Sequence, residues 1–478
     1  MAEYGRSLTA FGRLTALVLA LGTCCWLVFF HQASANASVN QPIPSDANLG
    51  QLVQNRELVA FGQSVFEDKN LSFKRNMSCA TCHSAKAGGT AASDIGNRLV
   101  GVHAGSSFEG FDKTPSRDNA MGFRNVQTST YAAFSPPLVR VLQGKTVVFE
   151  GGNFWDGRAT GFFTGRSSQE QATQPPIGTL EGQLPSPACV VYRVLKPSDP
   201  KSYPTAYTSV FGTNIKRLVW PSDIESQCAT ANGSVSFMNK GRNFTSNSQV
   251  QLAYNNIALA LMAYEGSQGM SPFDSKYDQV LQGKALLSSS EKRGMDLFNG
   301  KAKCASCHVS TPNAKGIRPL FTDFTYDNLG IPKNPANPIY HSAWINKKGE
   351  AWVDLGLGGF LQTQDTYRDD AIGQMGKFKV PTVRNVARKP NDEFVRAYMH
   401  NGYFKSLEQV VDFYNTRDTK PRCKNPLTPV GDAMEQGCWP EPEYPDTVNT
   451  AELGNLQLSK TDEVDLVSFL KTLSDQGN

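Results

Sequence analysis

Four segments of the chain carry the apolar spacing of amphipathic helices. They run from Glu57 to Phe66, from Gln249 to Tyr264, from Leu287 to Phe298 and from Ser459 to Leu473. Apolar residues that recur every three or four positions fall on one side of a helix. The last two segments also begin with serine or threonine residues that can cap a helix. In the last segment the predicted apolar stripe consists of Val464, Val467, Leu470 and Leu473.

Segments with the alternating pattern of β-strands are few. The stretches between the predicted helices are rich in glycine, proline and asparagine, above all Ser310 to Asp370, which we interpret as ordered loops. We therefore predict a mainly α-helical protein. A chain of 478 residues is long enough for two ordinary domains. Gly266 to Ser275 is the expected boundary between them.

The N-terminus has the order of an export signal. Arg6 and Arg13 precede an apolar run from Leu14 to Phe30, and the small residues around Ala35 follow it. We predict that residues 1–35 are a signal peptide and that the mature protein is periplasmic. A retained membrane anchor stays open as an alternative, because a run of this length is at the short limit for spanning a bilayer.

Each half of the chain contains one C-x-x-C-H motif, C-A-T-C-H from Cys79 and C-A-S-C-H from Cys304. In this motif the two thiols form thioethers to haem, and the histidine becomes the proximal iron ligand. A zinc site would need further ligands nearby, and a redox C-x-x-C does not require the trailing histidine. We therefore predict two covalently bound haem c groups, held by Cys79, Cys82 and His83 and by Cys304, Cys307 and His308.

Of the ten cysteines, two lie in the N-terminal segment and four in the motifs. The remaining four favour disulfides in an oxidising compartment. Sequence proximity pairs Cys189 with Cys228 and Cys423 with Cys438, with free thiols as the alternative. The net charge of +4, from 47 basic and 43 acidic residues, gives no indication of nucleic-acid binding.

A further group of motifs lies between the two haem motifs. It consists of G-N-F-W-D-G-R-A at residues 152–159, then E-Q-A at residues 170–172, Pro175 and Glu181. Here the sequence resembles the bacterial di-haem cytochrome c peroxidase and MauG family, and the resemblance continues through residues 321–324, 378–386 and 398–402. It implies two cytochrome c-like domains in tandem. We place the domain with the peroxidatic haem at residues 45–270 and the domain with the electron-transfer haem at residues 276–478.

The resemblance also implies catalytic residues. Trp155 is expected to lie between the haems as an electron relay, and Gln171 and Glu181 are expected on the distal side of the first iron. A carboxyl group there can take a proton from hydrogen peroxide and return it to the departing oxygen. Taken singly, Trp155 could be a core aromatic and Glu181 a solvated loop acid. Their joint occurrence in family order favours catalysis.

The family differs in the sixth ligand of the first iron. Peroxidases have a displaceable histidine there, whereas the matching position in this chain is Asn97. This departure resembles MauG, whose first haem is open without prior reduction. A shifted alignment would instead make His103 the displaceable ligand.

The second iron also needs a distal ligand. The resemblance places Tyr414 where peroxidases have methionine and MauG has tyrosine, with Met375 or Met399 as alternatives. An oxygen ligand favours oxidised iron, whereas a thioether favours reduced iron.

A calcium ion between the domains is also usual in the family. Asn125 fits its side-chain ligand, and the carbonyl donors are expected near Val395 and Ala397, although the sequence there departs from the common pattern.

We expect an enzyme that reduces hydrogen peroxide at the first haem with electrons relayed through the second. The electrons could come from a small cytochrome c or a cupredoxin, or from Trp or Tyr side chains of a partner protein, as in MauG. The remaining alternative is a non-catalytic di-haem electron carrier. The presence of Gln171 and Glu181 speaks against that alternative. Membrane association is expected only if the N-terminal segment is retained.

Overall fold

The computed structural model of the chain describes residues 47–92, 122–196, 203–213, 215, 218–230, 238–239, 242–243, 247–313, 316–341, 343 and 346–477. The predicted signal peptide, Asn97 and His103 lie outside these residues. Within the described ranges, no helix combines the length and the apolar character needed to cross a membrane.

Helices dominate the described part of the chain, as predicted. The α-helices are Leu49–Gln54, Arg56–Glu67, Cys79–Cys82, Ser167–Ala172, Pro187–Leu195, Pro204–Phe211, Ile224–Cys228, Asn247–Gly266, Lys276–Leu281, Ser289–Asn299, Gly356–Leu361, Leu407–Thr416, Val430–Gln436 and Lys460–Lys471. Short 3-10 helices are Lys69–Leu71, Ala85–Ala87, Ala132–Phe134, Pro175–Ile177, Cys304–Ser306, Pro338–Tyr340, Gly349–Ala351, Arg368–Asp370 and Ile372–Gln374.

The strands form antiparallel pairs. Val139–Gln143 pairs with Thr146–Glu150 through a tight turn, and shorter pairs join Met238–Asn239 to Arg242–Asn243 and Tyr326–Asp327 to Phe378–Lys379. The sequence did not predict the first hairpin. Its first strand, Val139–Gln143, is largely exposed and does not alternate between buried and exposed positions, so the period-two signal is absent.

The four predicted helices are confirmed, and the two serine caps are the reason for two of their starting points. Ser288 accepts a hydrogen bond from the backbone of Glu291, whose carboxylate accepts one from the backbone of Ser288. Ser459 and Asp462 repeat this reciprocal capping box at the start of the C-terminal helix. Each box satisfies two backbone N–H groups that a helix start leaves without partners.

The predicted apolar stripe of the C-terminal helix is wrong at one position, Val464. Val464 is 61% exposed, whereas Val467, Leu470 and Leu473 are buried. Steps of three residues rotate by about 60° each around a helix axis, so four such positions cannot share one face. Leu466 and Phe469 complete the buried face in place of Val464.

Each helix that leads into a haem motif packs across a later helix, and a glycine lies at the point of closest approach. We call Arg56–Glu67 the first entry helix and Ser289–Asn299 the second entry helix. A Cβ atom on Gly62 would come within 2.0 Å of the Ala260 carbonyl oxygen, and one on Gly294 within 1.9 Å of the Asp465 carbonyl oxygen. Both crossings therefore bring the backbones into contact, which only glycine permits.

Gly294→Ala is expected to destabilise the fold by about 1–3 kcal/mol, because the added methyl group forces the second entry helix away from the C-terminal helix. The control is Gly431→Ala, in the helix Val430–Gln436, where a Cβ meets no atom within 4 Å. Alanine favours helix at that exposed position, so the control should be neutral or slightly stabilising. Thermal unfolding of the two variants measures the difference, and equal midpoints would contradict the close crossing.

The buried apolar residues form three clusters. One spans residues 47–270, a second spans residues 277–473, and a smaller third contains Leu138, Phe149, Tyr326 and Met375. Both predicted disulfides are confirmed. Cys189 and Cys228 join two helices of the first cluster, with Cα atoms 5.6 Å apart, and Cys423 and Cys438 close a loop at the second, with Cα atoms 5.1 Å apart.

Candidate haem sites and the cavity beside the first

The first C-x-x-C-H motif forms one helical turn that ends at His83. Neither Cys79 nor Cys82 is in a disulfide. His83 Nδ1 donates a hydrogen bond to the carbonyl oxygen of Gly89 at 3.0 Å. With the proton on Nδ1, the lone pair of Nε2 is left for a metal. Burial lowers the pKa of His83, which also favours the neutral ligand form.

The second motif repeats this arrangement. Cys304 and Cys307 are outside any disulfide, and His308 Nδ1 donates to the carbonyl oxygen of Phe321 at 2.9 Å. Burial again lowers the pKa of the histidine. Two thiols and a histidine with a fixed tautomer are the groups that a covalently attached haem requires, so both donor sets fit the predicted cofactor.

A cavity of about 460 Å³ opens beside the first motif. Its walls bring the predicted catalytic residues together with the motif: they include Cys79, Cys82, His83, Trp155, Gln171 and Glu181. These positions span about a hundred residues of sequence, so their convergence is a property of the fold.

Glu181 reaches the cavity from a tight loop after Pro175 and Pro176. Backbone hydrogen bonds from Gly182 to Pro175, at 2.8 Å, and from Glu181 to Gly178, at 3.1 Å, hold this loop. Glu181 is an exposed residue, and the surface that it exposes lines the cavity. Removal from bulk water raises its pKa, against the opposing effect of the Arg158 charge. A raised pKa increases the fraction of protonated carboxyl available as an acid.

Gln171 lies on the short helix Ser167–Ala172, which its neighbour Glu170 anchors. Glu170 is buried and accepts hydrogen bonds from the backbone and the hydroxyl of Thr160, at 2.9 and 3.1 Å. Because successive side chains on a helix point in different directions, fixing Glu170 inward leaves Gln171 facing the cavity.

Trp155 is fixed at both ends. Its indole Nε1 donates to the carbonyl oxygen of Asn125 at 2.8 Å, and its own carbonyl accepts from the backbone of Lys379 at 2.9 Å. The next residue, Asp156, shares the guanidinium of Arg124 with Asp354, at 2.6 and 2.7 Å. These bonds tie the tryptophan loop to the second half of the chain.

Two ionisable residues in the cavity wall were missed by the sequence analysis. Burial raises the pKa of Glu265 to about 8 and lowers the pKa of Lys379 to about 7. Glu265 follows the long apolar helix pattern and Lys379 precedes V-P-T. A lone charged residue at the end of an apolar run is a signal that could have identified Glu265, whereas the local sequence of Lys379 carries no such signal.

Residues 320–324 connect the cavity with the second motif. Leu320, Thr322 and Phe324 line the cavity. Between them, the carbonyl of Phe321 binds His308, and the backbone of Asp323 donates to the Cys307 carbonyl at 2.8 Å. This short segment therefore contacts both candidate haem sites.

Tyr414 lies beside the second motif. Its pKa is raised above the ordinary value, chiefly by burial and then by the neighbouring sulphur atoms of Cys304 and Cys307. Of the alternative ligands, Met399 packs against the same apolar cluster and also lines the first cavity, whereas Met375 belongs to the third cluster.

The side chain of Asn125 lies between two carbonyl oxygens. Its Nδ2 donates to the carbonyls of Ala397 and Met399, both at 3.1 Å. Ala397 is one of the expected carbonyl donors of a calcium site. Exchanging Nδ2 and Oδ1 by rotation of the amide would bring three oxygen atoms together, and oxygen atoms are the ligands that a calcium ion prefers.

Comparison with known proteins places these features in a family. Residues 56–286 match the family model described as di-haem cytochrome c peroxidase. A methylamine utilization protein MauG of Paracoccus denitrificans is 30% identical over 420 residues, which cover 88% of this chain and 89% of that protein. A cytochrome-c peroxidase of a Pseudomonas strain is 24% identical, covering 96% of this chain and 92% of that protein.

Solved structures agree with this assignment. The crystal structure of the diheme peroxidase BthA from Burkholderia thailandensis matches with a TM-score of 0.64 and 25% identity, covering 88% of this chain and 87% of that chain. A BthA variant in which a tyrosine is replaced by methionine matches with a TM-score of 0.61 over the same shares. Since the MauG match extends over nearly the whole of both proteins, the chain belongs to the di-haem cytochrome c peroxidase family, a family of haem oxidoreductases.

Proposed function

We propose that the protein reduces hydrogen peroxide at the first haem site, with electrons relayed from the second haem site through Trp155. The observation that carries this proposal is the convergence of Gln171, Glu181 and Trp155 on the cavity that contains His83. A plain electron carrier has no need of an acid at that position.

Haem held by Cys79, Cys82 and His83 would supply the redox chemistry for the two-electron reduction of peroxide. The protein residues handle the protons. Glu181 takes the proton from one peroxide oxygen and returns it to the departing oxygen, so that two electrons and two protons yield two waters. Gln171 donates a hydrogen bond that orients peroxide, and the Gly89 carbonyl holds the Nδ1 proton of His83, which leaves Nε2 as the metal-binding nitrogen.

One haem motif lies in each half of the chain, which supports a division into two cytochrome c-like domains. The first occupies residues 45–270 and the second residues 276–478, and the repeated glycine crossings of the entry helices at Gly62 and Gly294 fit this division. Residues 1–35 act as an export signal, which brings the chain to the periplasm where haem is attached. A calcium ion bound by Asn125 and the carbonyl of Ala397 would tie the two halves together.

The fully oxidised protein is expected to consume peroxide without prior reduction, because Asn97 stands at the position of the displaceable histidine. Stopped-flow absorbance of the oxidised protein mixed with hydrogen peroxide measures this directly. If reaction requires one-electron reduction, and His103→Ala removes that requirement, His103 is the missing ligand and the prediction is wrong.

A second function is favoured by one observation, the position of Tyr414 beside Cys304 and Cys307. An oxygen ligand to the second iron would stabilise its oxidised states. The protein would then act as MauG is expected to act, by oxidising Trp or Tyr side chains of a partner protein. In the first function the donor is a small cytochrome c or a cupredoxin.

A further inference from the structure

A chain of buried aromatic and ionisable side chains runs outward from Trp155. The ring of His400 meets the indole of Trp155 edge-on, with centroids 6.5 Å apart. His400 is 4% exposed and stacks on Phe378 with centroids 3.5 Å apart. It lies one layer behind the cavity wall that Trp155 forms.

The next member is a carboxylate that lacks a basic hydrogen-bond partner. The side chain of Glu443 is 5% exposed, and its Oε2 lies 3.6 Å from His400 Nε2. That nitrogen is buried without a hydrogen-bond partner among the described residues. Among the residues that the structure describes, no lysine or arginine forms an ion pair with Glu443. Burying a carboxylate without a lysine or arginine partner costs free energy, so the presence of Glu443 at this place calls for an explanation.

Glu443 connects His400 to a buried tyrosine. The hydroxyl of Tyr340, which is 5% exposed, donates to Glu443 Oε1 at 3.3 Å. The backbone of Asp354 donates to the same oxygen at 3.0 Å and keeps it in place. A phenol with a carboxylate acceptor can lose its electron and its proton together, which avoids the unfavourable protonated radical.

The chain ends at the surface. The ring of Tyr340 lies 6.3 Å from the indole of Trp352, which is partly exposed and is also packed on Phe123. The residues just before it, Lys347 and Lys348, are exposed. The aromatic chain therefore joins the candidate catalytic cavity to solvent.

We propose that Tyr340 and Trp352 form a route by which electrons from a surface donor enter the first haem site, with Glu443 as the proton acceptor of Tyr340. The route rests on the proposed peroxide reduction, which supplies the oxidant. It is separate from the relay through the second haem.

The electrons and protons balance as follows. Tyr340 gives one electron, through His400 and Trp155, to the peroxide-oxidised site, and its phenolic proton moves to Glu443. Trp352 then gives one electron to Tyr340, and the proton returns from Glu443 to the phenol oxygen. A one-electron donor restores Trp352, and two such passes supply both electrons for one peroxide. Without a donor, both oxidising equivalents of one peroxide remove electrons from Trp352. Water then adds to the oxidised indole, which gains one oxygen atom and releases two protons, and these match the two protons consumed in reducing peroxide to water.

The test treats the di-haem protein with hydrogen peroxide in the absence of any reductant. Peptide mass spectrometry then measures oxygen addition at Trp352 relative to Trp220, a partly exposed tryptophan that packs on Tyr192. We expect Tyr340→Phe to lower this ratio by about tenfold or more, a cautious figure for deleting a proton-transfer group. Tyr367→Phe, which alters a tyrosine packed on Phe149, should leave the ratio unchanged.

Glu443→Gln provides the second variant, since an amide oxygen still accepts the Asp354 hydrogen bond but binds a proton poorly. A lower ratio in both Tyr340→Phe and Glu443→Gln supports the route. An unchanged ratio in both, with peroxide consumed as in the unaltered protein, overturns it. If the unaltered protein does not consume peroxide even with a reductant present, the proposed function itself fails, and the route fails with it.

Discussion

Glu181→Gln is expected to slow peroxide consumption by roughly a hundredfold or more, the usual scale for loss of an acid–base group, while both haems stay attached. Glutamine keeps the shape of the carboxyl group and its hydrogen-bonding oxygen, but it cannot shuttle the proton between the two peroxide oxygens. The position of Glu181 in the cavity wall, where removal from bulk water raises its pKa, is the basis of this expectation. Stopped-flow measurement of the peroxide reaction gives the rate.

The matched control is Glu265→Gln, the same substitution in the same cavity. Burial raises the pKa of Glu265 to about 8, so its carboxyl group is mostly protonated and uncharged at pH 7. Glutamine resembles that neutral form, and the rate should change little. Equal losses in the two variants would mean that the cavity needs carboxyl groups in general, and an unchanged rate in Glu181→Gln would remove Glu181 from the mechanism.

The parts of the fold that were predicted correctly depend on local sequence. The helix starts at Ser288 and Ser459 follow from side chains that reach only three residues along the chain. The disulfides followed from an even number of cysteines close in sequence. For the C-terminal helix, the local pattern predicted the helix correctly but placed Val464 wrongly on its buried face. Residues spaced three apart rotate gradually around the helix axis, so Val464 lies on the exposed side.

The sequence predicted which residues belong to the candidate site, but not the contacts that hold them in place. The motif and the resemblance identified His83, Trp155 and Glu181, and the cavity contains all three. Neither could reveal that Lys379 binds the backbone of Trp155, or that Glu443 contacts Tyr340 across about a hundred residues. Such pairs form only when the chain folds, and nothing in the local sequence of either partner indicates them.

Tyr414→Met is expected to raise the reduction potential of the second haem site and to impair storage of an oxidising equivalent there. A thioether stabilises reduced iron, whereas a phenol oxygen stabilises oxidised iron. Tyr414 is the candidate because its hydroxyl lies where the sulphur atoms of Cys304 and Cys307 affect its pKa. Redox titration and low-temperature spectra of the protein and the variant measure the potential and the ligation.

Tyr398→Phe is the control for this experiment, because Tyr398 packs in the same apolar cluster but donates its hydroxyl proton to the Val386 carbonyl at 3.1 Å. Its removal should leave the potential unchanged. The effect of the thiol charges on Tyr414 disappears once the sulphurs are thioethers. Burial and the charge of Asp327 then oppose ionisation of the phenol, and an iron–oxygen bond must offset both. If Tyr414→Met changes nothing, while Met399→Ala or Met375→Ala alters the spectrum, a methionine is the ligand. The second haem site then holds reducing electrons, and a peroxidase supplied by a small cytochrome becomes the better account of this protein.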